Sequence, residues 1–553
     1  MKTTTRGRWR AAIALTAAAL MLTSALPASA AQYQRISGEG SSWAGNAVQQ
    51  WQADVATQGV TVDYTPNGSS TGRKSFATRV NAQFAVSEIP YRGDTADKKD
   101  TSYPDFGFSM MPMVAGGTSM MYHLPVNGSR LENLHLSQDA AAQIFTGRIT
   151  RWNDPAIAAD NPGVNLPDQQ ITVVVRSEGS GATAQFTLWL KRQFPQYYAE
   201  LCQKTGGCDP GSATSYYPTA NMPNFVAQNG STGVTTYTVS TEYTINYDEY
   251  SYAQQVGFPV AQLKNAAGFY TVPSAPAVAV ALTQAVINTD QGSENYLSQD
   301  LSNVYAYLDP RAYPLSAYSY FMVPNQENSI FTGAHGATLG YFSQYALCEG
   351  QQTMGTLGYS PLPMNLVLAA MEQIRKIPGV DGETTARLDA VRDSALSADG
   401  GNPCNNPTFQ PGDSPSHNLL VDSAPFPEGC DAACQAPWKL AGAGLAVSGP
   451  DQGVAAAAGT ASAGAAATDA AATAPAAAAA AAAGAVCDPD TGVCATGEVE
   501  AAGGSVTPVS TVVAGQYGWA GPQTLMVIVA VALLALLLAP PVTTAMTRRR
   551  REP

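Results

Sequence analysis

The sequence predicts an α/β fold, and two observations carry that prediction. Three times a β-branched or alternating run meets a helical pattern through glycine and serine. Residues 37–43 (SGEGSSW) precede a helical stretch at 47–56, residues 60–66 precede 67–72 (NGSSTG), and residues 173–176 (VVVR) precede 178–181 (EGSG). Strands that alternate with helices through short turns mark a sheet with crossover helices. The second observation is an uneven composition. The chain is 45% apolar over 553 residues, yet residues 1–30 and those after about 405 do not read like the middle, which leaves room for about two domains.

Taken in order, residues 1–30 read as a secretory signal peptide. Lys2, Arg6, Arg8 and Arg10 form its charged start, residues 11–26 its apolar run, and Ala28-Ser29-Ala30 a small-residue cleavage site. After the first two corners, residues 83–90 (QFAVSEIP) read as an apolar strand ending on Ser87 and Glu88. Residues 202–247, rich in Tyr, Thr and Asn, read as a surface insertion. Residues 406–450 form a Pro/Gly-rich extension and residues 451–522 an Ala-rich linker with too few large apolar groups to bury. Residues 523–546 hold an uncharged apolar run at 525–539 and approach the roughly 20 residues that cross a bilayer. With the basic tail 547–553 they predict a single transmembrane helix whose C-terminal end is cytoplasmic. The expected location is the cell membrane, with the body on its extracellular face.

The 42 acidic against 29 basic residues give a net charge of −13, which argues against a nucleic-acid partner. Eight cysteines in an exported chain predict four disulfides, whose connectivity the sequence alone does not fix. Local spacing favours Cys202 with Cys208, Cys430 with Cys434, and Cys487 with Cys494, which leaves Cys348 for Cys404. The four histidines are not spaced with the cysteines as metal ligands are, so no metal site is expected. No G-x-x-x-x-G-K-[ST] stretch occurs, and no cofactor is expected.

The corners carry the chemistry. Glycine lets the backbone approach a ligand, and the free N–H groups and dipole of a helix start favour an anion. Arg176 adds a planar fork of donors, and Ser180 and Thr183 add hydroxyls. Such corners suit a small oxyanion. Because the whole molecule is negative, affinity has to come from local, oriented donors and not from steering at a distance. Glu88 among them fits a ligand that carries a proton: a carboxylate accepts a hydrogen bond from P–OH, whereas it repels a fully ionised oxyanion.

These segments resemble the phosphate-binding proteins of bacterial ABC-type phosphate transporters, the PstS family. The likeness runs from about Ile36 to about Pro378. It rests on SGEGSSW (37–43), VDYTPNGSSTG (62–72), QFAVSEIPY (83–91), MPMVAGG (111–117), the stretch 144–186, INYDEYSYA (245–253) and LGYSPLP (357–363). The resemblance implies a two-lobed periplasmic-binding-protein fold of type II with the ligand buried between the lobes. Residues 31–117 and 269–405 would form one lobe and residues 118–268 the other, joined near Gly116-Gly117 and Gly268-Phe269. It implies inorganic phosphate as ligand, and the permease and ATPase subunits of an importer as partners.

Carried over one at a time, the hydroxyl and backbone contacts of the first corner fall on Ser42 and Trp43, and those of the second on Ser69. The proton-accepting carboxylate falls on Glu88, the arginine on Arg176, and the third corner on Ser180 and Gly181. Two departures stand out. The family usually has Asp where this chain has Glu88, and a threonine where it has Ala182, so Thr183 is the candidate for the missing donor. Glu178 is expected to hold Arg176 in place, since two carboxylates on one dianion would repel it.

The function this implies is capture without catalysis. Two other readings stay open: a wall-associated structural or adhesive protein that keeps the fold without the ligand, and a surface phosphatase with Ser180 or Ser69 as nucleophile. The phosphatase lacks a histidine base in every quoted segment and a His/Asp metal cluster, so no catalytic residue is assigned.

Overall fold

The computed structural model describes residues 33–93, 97, 102–430 and, as two short strands, 486–487 and 494–495. The expected signal peptide (1–30), nearly all of the expected Ala-rich linker, the expected transmembrane helix, the basic tail and Cys434 lie outside the described residues. Among the described residues no helix is long and apolar enough to cross a membrane. Residues 33–430 all belong to one of the two compact units into which the chain divides, and that unit is described by itself.

Its larger sheet has six strands. Ile36–Gly40 pairs in parallel with Val62–Thr65 on one side and Phe84–Ser87 on the other. Ser316–Pro324 then pairs antiparallel with both Phe84–Ser87 and Phe108–Ser119, and Asp248–Glu249 forms the far edge. Phe84–Ser87 is buried at every position, as a parallel strand covered on both faces must be. The helix Gly45–Ala56 buries Ala47, Val48, Trp51 and Val55, a single stripe at helical spacing that faces this sheet. Trp51 meets Phe321, and Phe84 meets Phe342, inside the resulting core.

The second sheet has four strands in the order Phe225–Gln228, Thr172–Arg176, Thr244–Asn246, Tyr122–His123. The first three are parallel and the last is antiparallel. Here the expected surface insertion is overturned. Residues 202–247 supply two of the four strands and the helix Gly230–Ser240. Several of their polar side chains are hydrogen-bonded inside: Asn246 Nδ2 donates to Thr238 Oγ1 at 2.9 Å, and Thr244 Oγ1 donates to the Thr241 carbonyl at 2.7 Å.

The chain passes from the six-stranded to the four-stranded sheet between Phe108–Ser119 and Tyr122–His123. It passes back between Thr244–Asn246 and Asp248–Glu249. Gly116 and Gly117 lie in the first of these strands. Gly268-Phe269 sits in the turn between Gln262–Lys264 and Tyr270–Thr271, which pair in a separate three-stranded sheet.

Cys202–Cys208 and Cys348–Cys404 are bonded as the spacing suggests, and Cys430 is also disulfide-bonded. The Cys348–Cys404 bridge pins the start of the Pro/Gly-rich stretch to the body. Asn406 Nδ2 and Thr408 Oγ1 each donate to the Leu362 carbonyl at 3.1 Å.

Candidate functional site

Five strand ends meet in one place. Ser42 follows Ile36–Gly40, Ser69 follows Val62–Thr65, Glu88 follows Phe84–Ser87, Arg176 ends Thr172–Arg176, and Ser231 follows Phe225–Gln228. All are carboxyl ends of parallel strands, where open α/β sheets bind their ligands. Local sequence shapes the turns: Gly68 (φ +101°) and Gly230 (φ +67°) sit in backbone regions that L side chains avoid. Each is followed by a serine that opens a helix.

One half of the cluster forms around Glu88, which is 1% exposed. Ser69 Oγ donates to Glu88 Oε2 at 2.8 Å and accepts from the Gly181 N–H at 3.1 Å. Ser319 Oγ donates to Glu88 Oε1 at 3.0 Å. A Cβ on Gly181 would lie 2.0 Å from Glu88 Oε2. The methylene that Glu88 has beyond an aspartate thus carries its carboxylate onto the start of the Gly181–Gln193 helix, and the absence of a side chain at Gly181 makes room for it.

The other half forms around Arg176, also 1% exposed. Its Nη2 donates to Ser42 Oγ and to the Glu178 carboxylate. Its Nη1 donates to Ser231 Oγ at 3.2 Å and lies 3.5 Å from Asp248 Oδ2. Its Nε, buried, has no hydrogen-bond partner. Burial works against the charge of Arg176, but Asp248 and Glu178 outweigh it and raise its pKa. Burial also pushes Asp248 up to about 6, against the pull of Arg176. The two halves share the loop between Arg176 and Gly181: Ser70 N donates to the Gly179 carbonyl, and Gly230 N to Glu178 Oε2, each at 3.0 Å.

A family model described as the PBP superfamily domain matches residues 25–349. The phosphate-binding protein PstS of Xylella fastidiosa (strain Temecula1) is 31% identical over 349 residues, 62% of this chain and 86% of its own. The PstS of Methanocaldococcus jannaschii is 29% identical over 336 residues, 60% of this chain and 83% of its own. The chain belongs to the PstS family of phosphate-binding proteins. A solved high affinity periplasmic phosphate-binding protein, bound with phosphate, shares 19% identity over 68% of this chain and 97% of its own at a TM-score of 0.46. That is too distant to bear on the site.

Within the PstS frame, the expected residues divide. Ser42, Ser69, Glu88, Arg176 and Gly181 are bonded to one another or through a single serine. Ser180 Oγ accepts from the Thr183 N–H at 3.3 Å and so caps its helix. The Thr183 hydroxyl is engaged with Tyr247 OH at 2.6 Å, so in this arrangement it does not supply the donor that Ala182 lacks. The Trp43 ring packs edge-on to Tyr359, whose hydroxyl donates to the Trp43 carbonyl at 2.7 Å. Glu178 sits where expected, beside Arg176. Sequence reasoning missed Ser231, Asp248 and Ser319. For Ser231 a signal existed: residues 225–231 (FVAQNGS) are a fourth strand that meets a helix through glycine and serine.

Proposed function

We propose that this protein captures inorganic phosphate between two lobes and delivers it to the permease and ATPase of an ABC importer. One observation carries the reading: two buried hydrogen-bonded groups, Ser42 with Arg176 and Ser69 with Glu88 and Gly181, come from four separate strand ends and share the loop between Arg176 and Gly181. In this reading Ser42, Trp43, Ser69, Ser180 and Gly181 give hydroxyl and backbone donors, Arg176 gives its guanidinium, and Glu88 accepts the ligand's proton. The relatives are named for binding phosphate, and the same donors suit it here.

One lobe is built on the six-stranded sheet (31–117 and 269–405) and the other on the four-stranded sheet (118–268), with the stretches that pass between the sheets as hinge, among them Asp248–Glu249, which pairs at the edge of the six-stranded sheet. Closure excludes water, so each hydrogen bond to the anion forms where an unmade one is costly. Residues 1–30 direct export, residues 451–522 give reach, and residues 523–546 anchor the body to the membrane. Tethering raises its effective concentration at the permease.

Calorimetric titration with phosphate, arsenate and sulfate tests the reading. Phosphate and arsenate are expected to bind, sulfate to bind far more weakly, and Glu88→Gln to narrow that gap by about ten-fold, one pKa unit's worth of free energy. Colour release from p-nitrophenyl phosphate would favour the phosphatase instead. No binding by the wild-type protein would sink capture and leave a surface protein with the fold alone.

A further inference from the structure

Asp248 lies outside the set of ligand groups assigned above, yet it ends a hydrogen-bond chain that runs through that set. Ser231 Oγ donates to Asp248 Oδ1 at 2.9 Å. With its hydrogen committed there, Ser231 Oγ accepts from Ser42 Oγ at 2.9 Å, which turns the Ser42 hydrogen toward Ser231. The direction of the chain is therefore set by the charge at its end. Arg176 is drained in the same way. Of its five N–H donors, the two on Nη2 face Ser42 and Glu178, those on Nη1 face Ser231 and Asp248, and only the N–H on Nε is unmatched. While Asp248 is a carboxylate, the groups best suited to hold an anion are already spoken for.

The position of Asp248 gives it this reach. It stands in the Asp248–Glu249 strand, immediately after the chain leaves the four-stranded sheet, and it is 2% exposed. Arg176 and Glu178 face it from the third corner, Ser231 from the Gly230–Ser240 helix, Glu249 from its own strand and Tyr252 from the helix that follows. Ser119 of the neighbouring strand donates to its carbonyl at 3.0 Å. One cation thus faces two carboxylates, and a dianion placed beside them adds further negative charge. Glu249, which burial pushes well above the usual carboxylate range, faces Asp248 from its own strand, so the least costly relief at Arg176 is to neutralise the less firmly paired of the two carboxylates beside it. Glu178 bonds Arg176 directly, whereas Asp248 stands 3.5 Å away.

We propose that Asp248 is an internal competitor for the donors of the anion site, and that it releases them by taking up one proton from solvent when the anion binds. Protonated, Asp248 donates to Ser231 Oγ. Ser231 then donates to Ser42 Oγ, and the Ser42 hydrogen is free to turn to the ligand. One proton enters at Asp248, two hydroxyl hydrogens reorient, and no covalent bond is made or broken other than that O–H. This rests on the capture reading and adds to it a pH dependence that comes from Asp248. Burial has already raised Asp248 to about 6, and a bound dianion raises it further, so the sign of its own contribution is fixed: Asp248 takes up a proton on binding and weakens binding as pH rises, on top of the second ionisation of phosphate itself, which wild type and Asp248→Asn share.

Phosphate titrations of the whole protein and of Asp248→Asn, from pH 5.5 to 8 in buffers of differing ionisation heat, test it. The amide is permanently neutral; an Nδ2 turned to Ser231 donates there but cannot accept from the Glu249 N–H as Asp248 Oδ1 does at 2.8 Å, so Ser231→Ala is read beside it. Asp248→Asn is therefore expected to bind phosphate about a hundred-fold more tightly than wild type at pH 8, the worth of the two pKa units between pH 8 and the Asp248 value of about 6. The difference closes toward pH 5.5, and close to one fewer proton is taken up per phosphate at pH 8. Ser231→Ala, which cuts the chain, should flatten the same pH profile and serves if Asp248→Asn does not fold. Weaker binding by Asp248→Asn at pH 8 with an unchanged proton count would overturn the proposal and reduce Asp248 to an orienting partner of Arg176. Absence of binding by the wild-type protein at every pH would instead overturn the capture reading itself.

Discussion

The two halves of the cluster solve the same problem in opposite ways. Around Glu88, one carboxylate is held by hydroxyls from Ser69 and Ser319, with no cation bonded to it. Around Arg176, one cation is held by two carboxylates and two hydroxyls. The first half has an acceptor with donors turned toward it, and the second has donors with acceptors turned toward them. A protonated oxyanion needs both, an acceptor for its proton and donors for its charged oxygens, and neither half alone discriminates it from sulfate.

The largest contrast is expected on removing the cation. Arg176→Ala leaves Glu178 and Asp248 buried and uncompensated, which costs about 3 kcal/mol or more of stability. It also removes the only charged donor among the assigned ligand groups, so phosphate affinity should fall on the order of a hundred-fold. A melt paired with calorimetry reads both numbers. A variant that melts early but binds phosphate as wild type would show that the arginine half is scaffold, and that the Glu88 half does the binding alone.

A smaller and more local effect is expected at the contact between helix start and acid. Gly181→Ala places a methyl 2.0 Å from the present position of Glu88 Oε2, and overpacking of that kind costs about 1–3 kcal/mol. Because the clash belongs to the length of Glu88, adding Glu88→Asp should restore much of the loss in stability and in phosphate affinity. A double variant no better than Gly181→Ala would mean that the glycine is needed for its backbone, and the matching of long acid to bare helix start would fail. The two halves would then differ less than their geometry suggests.

What the sequence made legible follows the same division. The Glu88 half is built from local signals, glycine and serine at the mouths of helices and an acid at a strand end, and each of those was readable at Ser69, Gly181 and Glu88. The Arg176 half is closed by residues that no local pattern brings together. Asp248 reaches Arg176 because the chain changes sheets beside it, and Ser319 reaches Glu88 from a strand 231 residues away. The Ser231 corner was hidden by composition. Threonine and asparagine normally mark surface, and only the finished sheet shows that Asn246 donates to the Thr238 hydroxyl and Thr244 to the Thr238 carbonyl in the interior.

The smallest expected effect on binding concerns Thr183, where the comparison can be sharpened most cheaply. Its hydroxyl and that of Tyr247 are fully buried partners at 2.6 Å. Thr183→Val strands the Tyr247 hydroxyl and should lower stability by about 1–2 kcal/mol, while Thr183→Val with Tyr247→Phe, which removes both polar groups, recovers most of that. Phosphate affinity should change by no more than about two-fold in either variant, since the Thr183 hydroxyl is engaged with Tyr247. A loss of about ten-fold in affinity with an unchanged melt would reverse the assignment. Thr183 would then turn from Tyr247 to the anion on binding and replace the donor that Ala182 lacks.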